Sequence, residues 1–214
     1  MKEFLDSVDT VHLNLGKLNL STVGRSFVLS YGDRQLMTYF PSSPKSINEF
    51  YGCYELAYGN CVLSGLGMGL LPTMLLEKRE VEQVTVYEKN HEVIRLNKLL
   101  GLSDKINVIH KDIHDVRSVK CDTLLLDHYE HEPDDEIVES VASISSNNDA
   151  ELVWFWRLEN ILVKEGDLLC SKKVKNAYDF FKESSRIANL PNVSGEEITQ
   201  FCFMFHSYDK TEIK

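Results

Sequence analysis

Cys61-Val62-Leu63-Ser64-Gly65-Leu66-Gly67-Met68-Gly69 is the stretch that decides the fold of this 214-residue chain. The apolar run Cys61–Ser64 predicts a buried strand, and Leu70–Leu76, which follows the glycines, predicts a helix. A strand that passes through alternating glycines into a helix is how α/β proteins hold a nucleotide-like ligand. Because glycine has no Cβ, a ligand can lie against bare backbone. The helix N-terminus would add unpaired N–H groups beside it.

Three further runs predict strands, and each is followed by an acid: Gln83–Tyr87 precedes Glu88, Ile106–His110 precedes Asp112, and Asp122–Leu126 precedes Asp127. The carboxyl ends of parallel strands meet at one edge of a sheet, and open α/β sheets bind their ligands at that edge. Glu88 lies about twenty residues past the glycines, where a carboxylate accepts hydrogen bonds from ribose hydroxyls. The three acids are therefore expected around one ligand.

Helices alternate with these strands. Glu92–Leu100 has helical spacing and ends at Gly101, a natural C-cap. Such alternation implies parallel βαβ units. The other predicted elements are the helices Ile47–Tyr58, Ile137–Ser146 and Val174–Ile187 and the strands Glu151–Trp156 and Gln200–His206. The predicted fold is a Rossmann-like, doubly wound α/β domain with a mainly parallel sheet, over residues 51–214.

Residues 1–50 are predicted to form a β-rich appendage. Val11–Leu15 alternates as a strand does, and Arg25–Ser30 and Arg34–Phe40 flank the turn residues Gly32-Asp33, which predicts a β-hairpin. The sequence leaves two roles open for the hairpin: it caps a site, or it covers the sheet.

Composition narrows the class of function. The net charge is −10, and the densest basic cluster is Lys172-Lys173-x-Lys175, so the charge argues against a DNA or RNA substrate. No apolar run approaches the roughly 18 residues of a membrane span, and the acidic N-terminus lacks a signal-peptide pattern, so a cytoplasmic protein is expected. The five cysteines are scattered without a C-x-x-C motif, which favours packing roles.

The glycine loop and the three acids resemble the class I S-adenosylmethionine-dependent methyltransferases, in the branch near the spermidine synthases. Leu63 stands where many class I methyltransferases carry an acid, as in spermidine synthase-like members. The resemblance covers about residues 50–160 and implies S-adenosylmethionine as cofactor. It implies that Glu88 holds the ribose, Asp112 the adenine amino group, and the loop the methionine part. The predicted cofactor site comprises Gly65, Leu66, Gly67, Met68, Gly69, Glu88, Lys89, Asp112, Ile113 and Asp127.

Asp127, His128 and Tyr129 are the candidate catalytic residues, because they end the fourth strand at the edge where an acceptor would approach. The segment continues as Glu130-His131-Glu132-Pro133-Asp134-Asp135-Glu136. Three interpretations remain open for it: a wall for a cationic substrate, a solvated loop with the acidic first turn of a helix, or a metal site. No metal is predicted, because no partner cluster of ligands occurs elsewhere.

The predicted function is methyl transfer from S-adenosylmethionine to a small-molecule or peptide-like acceptor, most simply an amine or another cationic group. A spermidine synthase-like aminopropyltransferase is one alternative, although its Asp-x-x-Asp-Pro pattern is absent after the fourth strand. A nicotinamide-dependent dehydrogenase is disfavoured, because Leu70 follows Gly69 where G-x-G-x-x-G needs a different spacing. A non-catalytic adenosyl-ligand-binding member of the fold also stays open, since a fold does not imply catalysis.

Overall fold

The computed structural model describes residues 10–39, 53–54, 57–129 and 135–155, which form two sheets and the helices around them. The strands of this part of the chain are β1 (His12–Leu15), β2 (Leu18–Val23), β3 (Ser26–Tyr31), β4 (Arg34–Tyr39), β5 (Gly59–Ser64), β6 (Val81–Glu88), β7 (Ile106–His110), β8 (Lys120–Leu126) and β9 (Asp149–Phe155). The helices are α1 (Leu70–Leu76), α2 (His91–Leu99) and α3 (Asp135–Ser146), and Ile113–Asp115 forms a 3-10 turn.

The larger sheet has the strand order β7-β6-β5-β8-β9, and every neighbouring pair is parallel. From β5 the chain winds outward through β6 to β7, and it then returns to β8 on the other side of β5. The strand order therefore reverses between β5 and β8, which is the topological switch point of a doubly wound sheet. The predicted Rossmann-like fold with a mainly parallel sheet is confirmed.

The strand sequences explain why the middle of the parallel sheet is buried. Leu124, Leu125 and Leu126 of β8 are each at most 1% exposed, as expected for a central strand covered on both faces. β5 and β8 start somewhat before their predicted first residues, because backbone pairing continues past the apolar run. The predicted crossover helix is α2, and the Asn90 side chain caps it by accepting hydrogen bonds from two backbone N–H groups of its first turn.

The N-terminal piece is a larger structure than the predicted hairpin. β1 to β4 form a four-stranded antiparallel sheet in chain order, of which β3 and β4 are the predicted hairpin. Gly16, Gly24 and Gly32 open the three turns with φ angles of 61°, 64° and 58°. Glycine at these regular positions was the signal for the full sheet. β1 corresponds to the predicted strand Val11–Leu15, whereas β2 was not predicted, because it contains Asn19 and asparagine is depleted in strands.

The antiparallel sheet lies beside the carboxyl edge of the parallel one. A Cβ built on Gly16 would lie 1.9 Å from Oε1 of Glu92, at the start of α2. A Cβ built on Gly67 would lie 3.1 Å from Sδ of Met37, which belongs to β4. Buried residues of both sheets belong to one hydrophobic core. The N-terminal sheet is thus packed directly beside the glycine loop.

Tyr58 departs from its prediction. It does not continue a helix: its backbone N–H and carbonyl are both hydrogen-bonded to the Thr123 hydroxyl, at 3.1 and 2.9 Å, so β8 holds it in the coil before β5. Its own hydroxyl donates to Oε2 of Glu151 at 2.8 Å, which lies towards the amino end of the sheet. Tyr58 therefore belongs to the scaffold rather than to the ligand edge.

Several predicted features fall outside the described residues. They are the turn Pro41–Pro44, most of the helix Ile47–Tyr58, the loop Glu130–Asp134, the helix Val174–Ile187, the strand Gln200–His206 and the domain boundary between residues 50 and 51. Among the helices that the structure does describe, none has the length and apolar character needed to cross a membrane.

Candidate functional site

The glycine loop connects β5 to α1 at the carboxyl edge of the parallel sheet. Gly65, Gly67 and Gly69 all have positive φ angles, of 86°, 50° and 69°, which L-residues with a Cβ rarely adopt. Gly65 has a second constraint, because a Cβ there would lie 2.3 Å from the backbone oxygen of Asp127. The loop after β5 and the loop after β8 therefore touch at the switch point of the sheet.

The side chains between the glycines are buried in the core. Leu66 and Met68 are 3% and 0% exposed and belong to the core. What these two residues can present to a ligand is therefore backbone. For Gly67, the first atom that an added Cβ would meet is the Met37 sulfur at the tip of a flexible side chain. A side chain added at Gly65 would meet backbone that cannot move aside, whereas one added at Gly67 would meet a side chain that can. Substitution of Gly65 is therefore the clearer test of how the loop packs.

Glu88 ends β6 and is 8% exposed. Its Oε2 accepts a hydrogen bond from the Leu66 N–H at 2.8 Å, and its Oε1 accepts one from the Asn90 N–H at 2.7 Å. The carboxylate thus fastens the glycine loop to the turn that starts α2. A carboxylate oxygen can accept more than one hydrogen bond, so Glu88 also keeps capacity for ligand hydroxyls.

Asn97 supports the loop from the other side, and the sequence analysis did not identify it. It is 0% exposed within α2, and its Nδ2 donates to the Gly67 carbonyl at 2.8 Å and to the Val93 carbonyl at 2.9 Å. Within the described residues its Oδ1 is buried and accepts no hydrogen bond. An asparagine on the apolar face of an amphipathic helix was the available signal for a polar role inside the fold.

Asp112 follows β7 and is tied to His114. Its Oδ1 accepts hydrogen bonds from the His114 backbone N–H at 3.0 Å and from Nδ1 of the ring at 2.8 Å. Burial by itself would raise the pKa of Asp112, but the two bonds from His114 and the charges of His114 and Lys89 lower it overall. The carboxylate is therefore ionised at neutral pH. His114, whose side chain is 48% exposed, was not among the predicted site residues.

His128 packs beneath this edge. Its Nδ1 is hydrogen-bonded to the hydroxyl of Ser64, the last residue of β5, and its ring lies 5.2 Å from the His114 ring and 4.0 Å from the Tyr129 ring. Burial, reinforced by the charges of His114 and Lys89, lowers the pKa of His128 to about 4. His128 is therefore neutral at physiological pH. It can accept or donate one hydrogen bond, but it is not a positive charge in the site.

Tyr129 connects the end of β8 to α3. Its hydroxyl donates to Oγ of Ser140 at 3.2 Å, and Ser140 in turn lies 3.0 Å from Nε2 of His114. Burial raises the pKa of Tyr129, although the bond to Ser140 opposes the rise. Tyr129 therefore keeps its proton at neutral pH. Ser140 was not predicted, since a serine within a helix has no distinguishing pattern.

The fold brings most of the predicted site residues to one edge, with different roles. Glu88, Asp112, His128 and Tyr129 contribute side chains, and the Asp127 backbone contacts the glycine loop. Ile113, 4% exposed, packs in the core. Lys89 is exposed, and its carbonyl is hydrogen-bonded to Nε2 of His110 at 3.0 Å.

These residues fit an adenosyl group. A ribose needs acceptors for two hydroxyls, and Glu88 offers a carboxylate at the end of β6. An adenine amino group needs an acceptor, and Asp112 offers one at the end of β7, where its side chain is 36% exposed. Gly65, Gly67 and Gly69 leave bare backbone along the loop after β5, the strand that pairs with β6. Among the described residues, no group of three or more His, Cys, Asp or Glu side chains is arranged to hold a metal ion.

Comparison with known proteins gives similarity only at the level of solved structures. No protein-family model matches the chain, and no curated protein matches it. One similar structure is the DhpI–SAH complex, at 18% identity and a TM-score of 0.39, over 49% of this chain and 51% of the other. Spermidine synthase from Thermotoga maritima matches at 12% identity and a TM-score of 0.47, over 68% of this chain and 55% of the other. The mitomycin 7-O-methyltransferase MmcR matches at 20% identity and a TM-score of 0.38, over 52% and 40%.

The solved structures similar to this chain thus include methyltransferases and a spermidine synthase. The chain spans about half the length of the first two structures named.

Proposed function

We propose that this protein is an S-adenosylmethionine-dependent methyltransferase that acts on a small or peptide-like acceptor carrying an amine or another cationic group. The observation that carries the proposal is the meeting of two loops at the switch point of the sheet. The glycine loop after β5 and the Asp127–Tyr129 segment after β8 touch at Gly65. Glu88 ends β6, the strand beside β5, and Asp112 follows β7, the next strand along. Ligands of doubly wound sheets bind in this crevice.

Each residue has a role in the proposal. Glu88 would accept hydrogen bonds from the ribose, Asp112 would accept one from the adenine amino group, and the loop backbone would face the methionine part. When bound, S-adenosylmethionine supplies an electrophilic methyl group on its sulfonium. The chain must then hold the acceptor in line with that methyl group and near attack distance. Asp127, His128 and Tyr129 border this position.

The protonation states of His128 and Tyr129 are compatible with a cationic acceptor. His128 is neutral because burial lowers its pKa to about 4, and Tyr129 keeps its hydroxyl proton. Neither adds a positive charge that would repel a cationic acceptor. The net charge of −10 favours a cationic partner over a polyanion in the same way. We expect nucleic acid to be a poor substrate for this reason.

One test is calorimetric titration with S-adenosylhomocysteine, together with a transfer screen that uses methyl-labelled cofactor. The screen should cover polyamines, guanidino compounds, peptides, DNA and RNA. Binding of the adenosyl ligand and labelling of a cationic small molecule or peptide are expected. Binding of NADH, with no binding of S-adenosylmethionine or S-adenosylhomocysteine, would overturn the assignment. Labelling of DNA or RNA alone would overturn the acceptor class.

An aminopropyltransferase is the second candidate, favoured by one contact. Met37 of β4 lies against Gly67, so the N-terminal antiparallel sheet borders the glycine loop. The resemblance to spermidine synthases implies such a β piece over the active site. Decarboxylated S-adenosylmethionine and a diamine distinguish the two activities: product that grows by an aminopropyl group, with no methyl labelling, would select this candidate.

A further inference from the structure

A continuous line of hydrogen bonds crosses the site from Tyr129 to Asp112. The Tyr129 hydroxyl donates to Ser140 Oγ at 3.2 Å, Ser140 Oγ lies 3.0 Å from His114 Nε2, and His114 Nδ1 lies 2.8 Å from Asp112 Oδ1. The four residues come from three parts of the fold: the turn after β7, the segment after β8, and α3. We call this set the relay.

The direction of each hydrogen bond follows from the chemistry of the groups. Asp112 is ionised and can only accept, so His114 Nδ1 carries a hydrogen. In a neutral imidazole the other nitrogen then has a free lone pair, so Nε2 accepts from the Ser140 hydroxyl. Ser140 Oγ in turn accepts from Tyr129. Every donor therefore points from Tyr129 towards His114.

The two ends of the relay have different surroundings. Tyr129 is half-buried and lies at the switch point, where its ring packs against the His128 ring at an interplanar angle of 39°. His114 is 48% exposed, so it can exchange protons with water. Asp112 fixes the histidine twice, through its ring and through its backbone N–H. This is the arrangement of a base oriented by a carboxylate.

We propose that the relay is a proton path that removes the acceptor's proton from the site, with His114 as its terminal base. This proposal depends on the proposed transfer to an amine. In that reaction the acceptor nitrogen forms a bond to the methyl carbon, and the electron pair of the broken S–C bond stays on sulfur. The nitrogen is then positively charged and must lose one proton.

The path conserves protons at every step. The acceptor's proton passes to the Tyr129 oxygen as the Tyr129 proton moves to Ser140 Oγ. The Ser140 proton moves at the same time to His114 Nε2. Tyr129 and Ser140 end as they began, and His114 becomes an imidazolium beside the Asp112 carboxylate. Its exposed ring then returns the proton to water.

The relay predicts a spectroscopic property that needs no substrate. Nitrogen NMR of the imidazole ring should show the Nδ1–H tautomer of His114 as the main neutral form. Ser140→Ala removes the donor to Nε2 and should shift the His114 signals, whereas Ser140→Thr keeps a hydroxyl and should retain them. The signals of His110, whose Nε2 is paired with a backbone carbonyl, should stay in place. An unchanged His114 spectrum in Ser140→Ala would overturn the relay.

Single-turnover transfer with labelled cofactor tests its function. His114→Gln and Ser140→Ala should each slow the transfer step roughly a hundredfold or more, the range typical of acid–base assistance. Added imidazole should restore part of the rate in His114→Ala, because the site of the lost ring is open to solvent. His110→Gln is the matched control at the same edge and should transfer at the wild-type rate.

The outcomes separate the two proposals. Wild-type protein that labels no acceptor contradicts the proposed function and the relay together. Wild-type activity that is unchanged in His114→Gln contradicts the relay alone. Rate loss that imidazole does not restore, with altered unfolding, assigns His114 a structural role and also contradicts the relay. Binding of S-adenosylhomocysteine at near wild-type affinity in Ser140→Ala shows that the cofactor site is intact in that comparison.

Discussion

Glu88→Ala is the substitution that tests the site most directly, because Glu88 is both a predicted ligand contact and an observed support of the glycine loop. Its carboxylate is 8% exposed and accepts hydrogen bonds from the backbone N–H groups of Leu66 and Asn90, at 2.8 and 2.7 Å. A hydrogen bond to a charged group contributes roughly 1.5–3 kcal/mol when its partner is buried. The Leu66 bond is buried and the Asn90 bond is partly exposed, so the second contributes less.

The expected loss is about 2–4 kcal/mol in the free energy of unfolding, since alanine leaves both N–H groups without the carboxylate. For a chain of this size that loss corresponds to a melting temperature lower by roughly 4–16 °C. Thermal and urea unfolding without ligand measure it. Glu82→Ala is the matched control, because Glu82 is an exposed residue of the same strand and should change stability by less than about 0.5 kcal/mol.

Titration with S-adenosylhomocysteine completes the experiment. Glu88→Gln keeps the shape and one acceptor oxygen, so it should lose about half the stability that alanine loses, yet it should bind the ligand clearly more weakly than wild type. An unfolding curve of Glu88→Ala that superimposes on wild type would refute the structural reasoning. Normal ligand affinity in a destabilised Glu88→Gln would remove Glu88 from the cofactor site and leave it a loop support only.

Three further predictions concern the same edge. Gly65→Ala should lower the free energy of unfolding by roughly 3 kcal/mol or more, because residue 65 is left-handed and its Cβ would lie 2.3 Å from a backbone oxygen. Gly101→Ala is the control: Gly101 has a φ of 79° and open space around it, so only the conformational strain of about 1–2 kcal/mol is expected. Urea unfolding of the two variants compares these losses. Asn97→Ala should lower the unfolding free energy by about 2–3 kcal/mol and weaken S-adenosylhomocysteine binding, because it frees the Gly67 carbonyl; unchanged binding would limit Asn97 to packing. The pKa of His128 is about 4 in the folded state, below its value in the unfolded chain, so the unfolded state binds a proton at a higher pH than the folded state does. The free energy of unfolding should therefore fall as the pH drops from about 6.5 to 4, by up to about 3 kcal/mol. His128→Gln should remove that part of the pH dependence, and equal slopes in both proteins would contradict it.

Local patterns in the sequence were sufficient for the parallel sheet. The apolar runs that became β5 and β8 are continuous because both faces of a central strand are buried, and the acids after the strands mark the carboxyl edge of the sheet. The alternation of Gly65, Gly67 and Gly69 is also a local pattern. Because positive φ angles favour glycine, this pattern was enough to locate the loop. In the N-terminal sheet, β1, β3 and β4 were predicted and β2 was not, since Asn19 weakens the strand pattern of Leu18–Val23.

The sequence by itself determined which strands, which loop and which carboxylates meet at one edge, because these depend on periodicity and on the shared direction of parallel strands. Only the tertiary structure decided what those carboxylates do. Glu88 is bonded to the glycine loop, and Asp112 is bonded to His114. Ser140 joins His114 to Tyr129 across three separate elements. Such hydrogen bonds extend only about 3 Å, so they depend on how α3 and the strand ends pack, and no local pattern of residues records that packing.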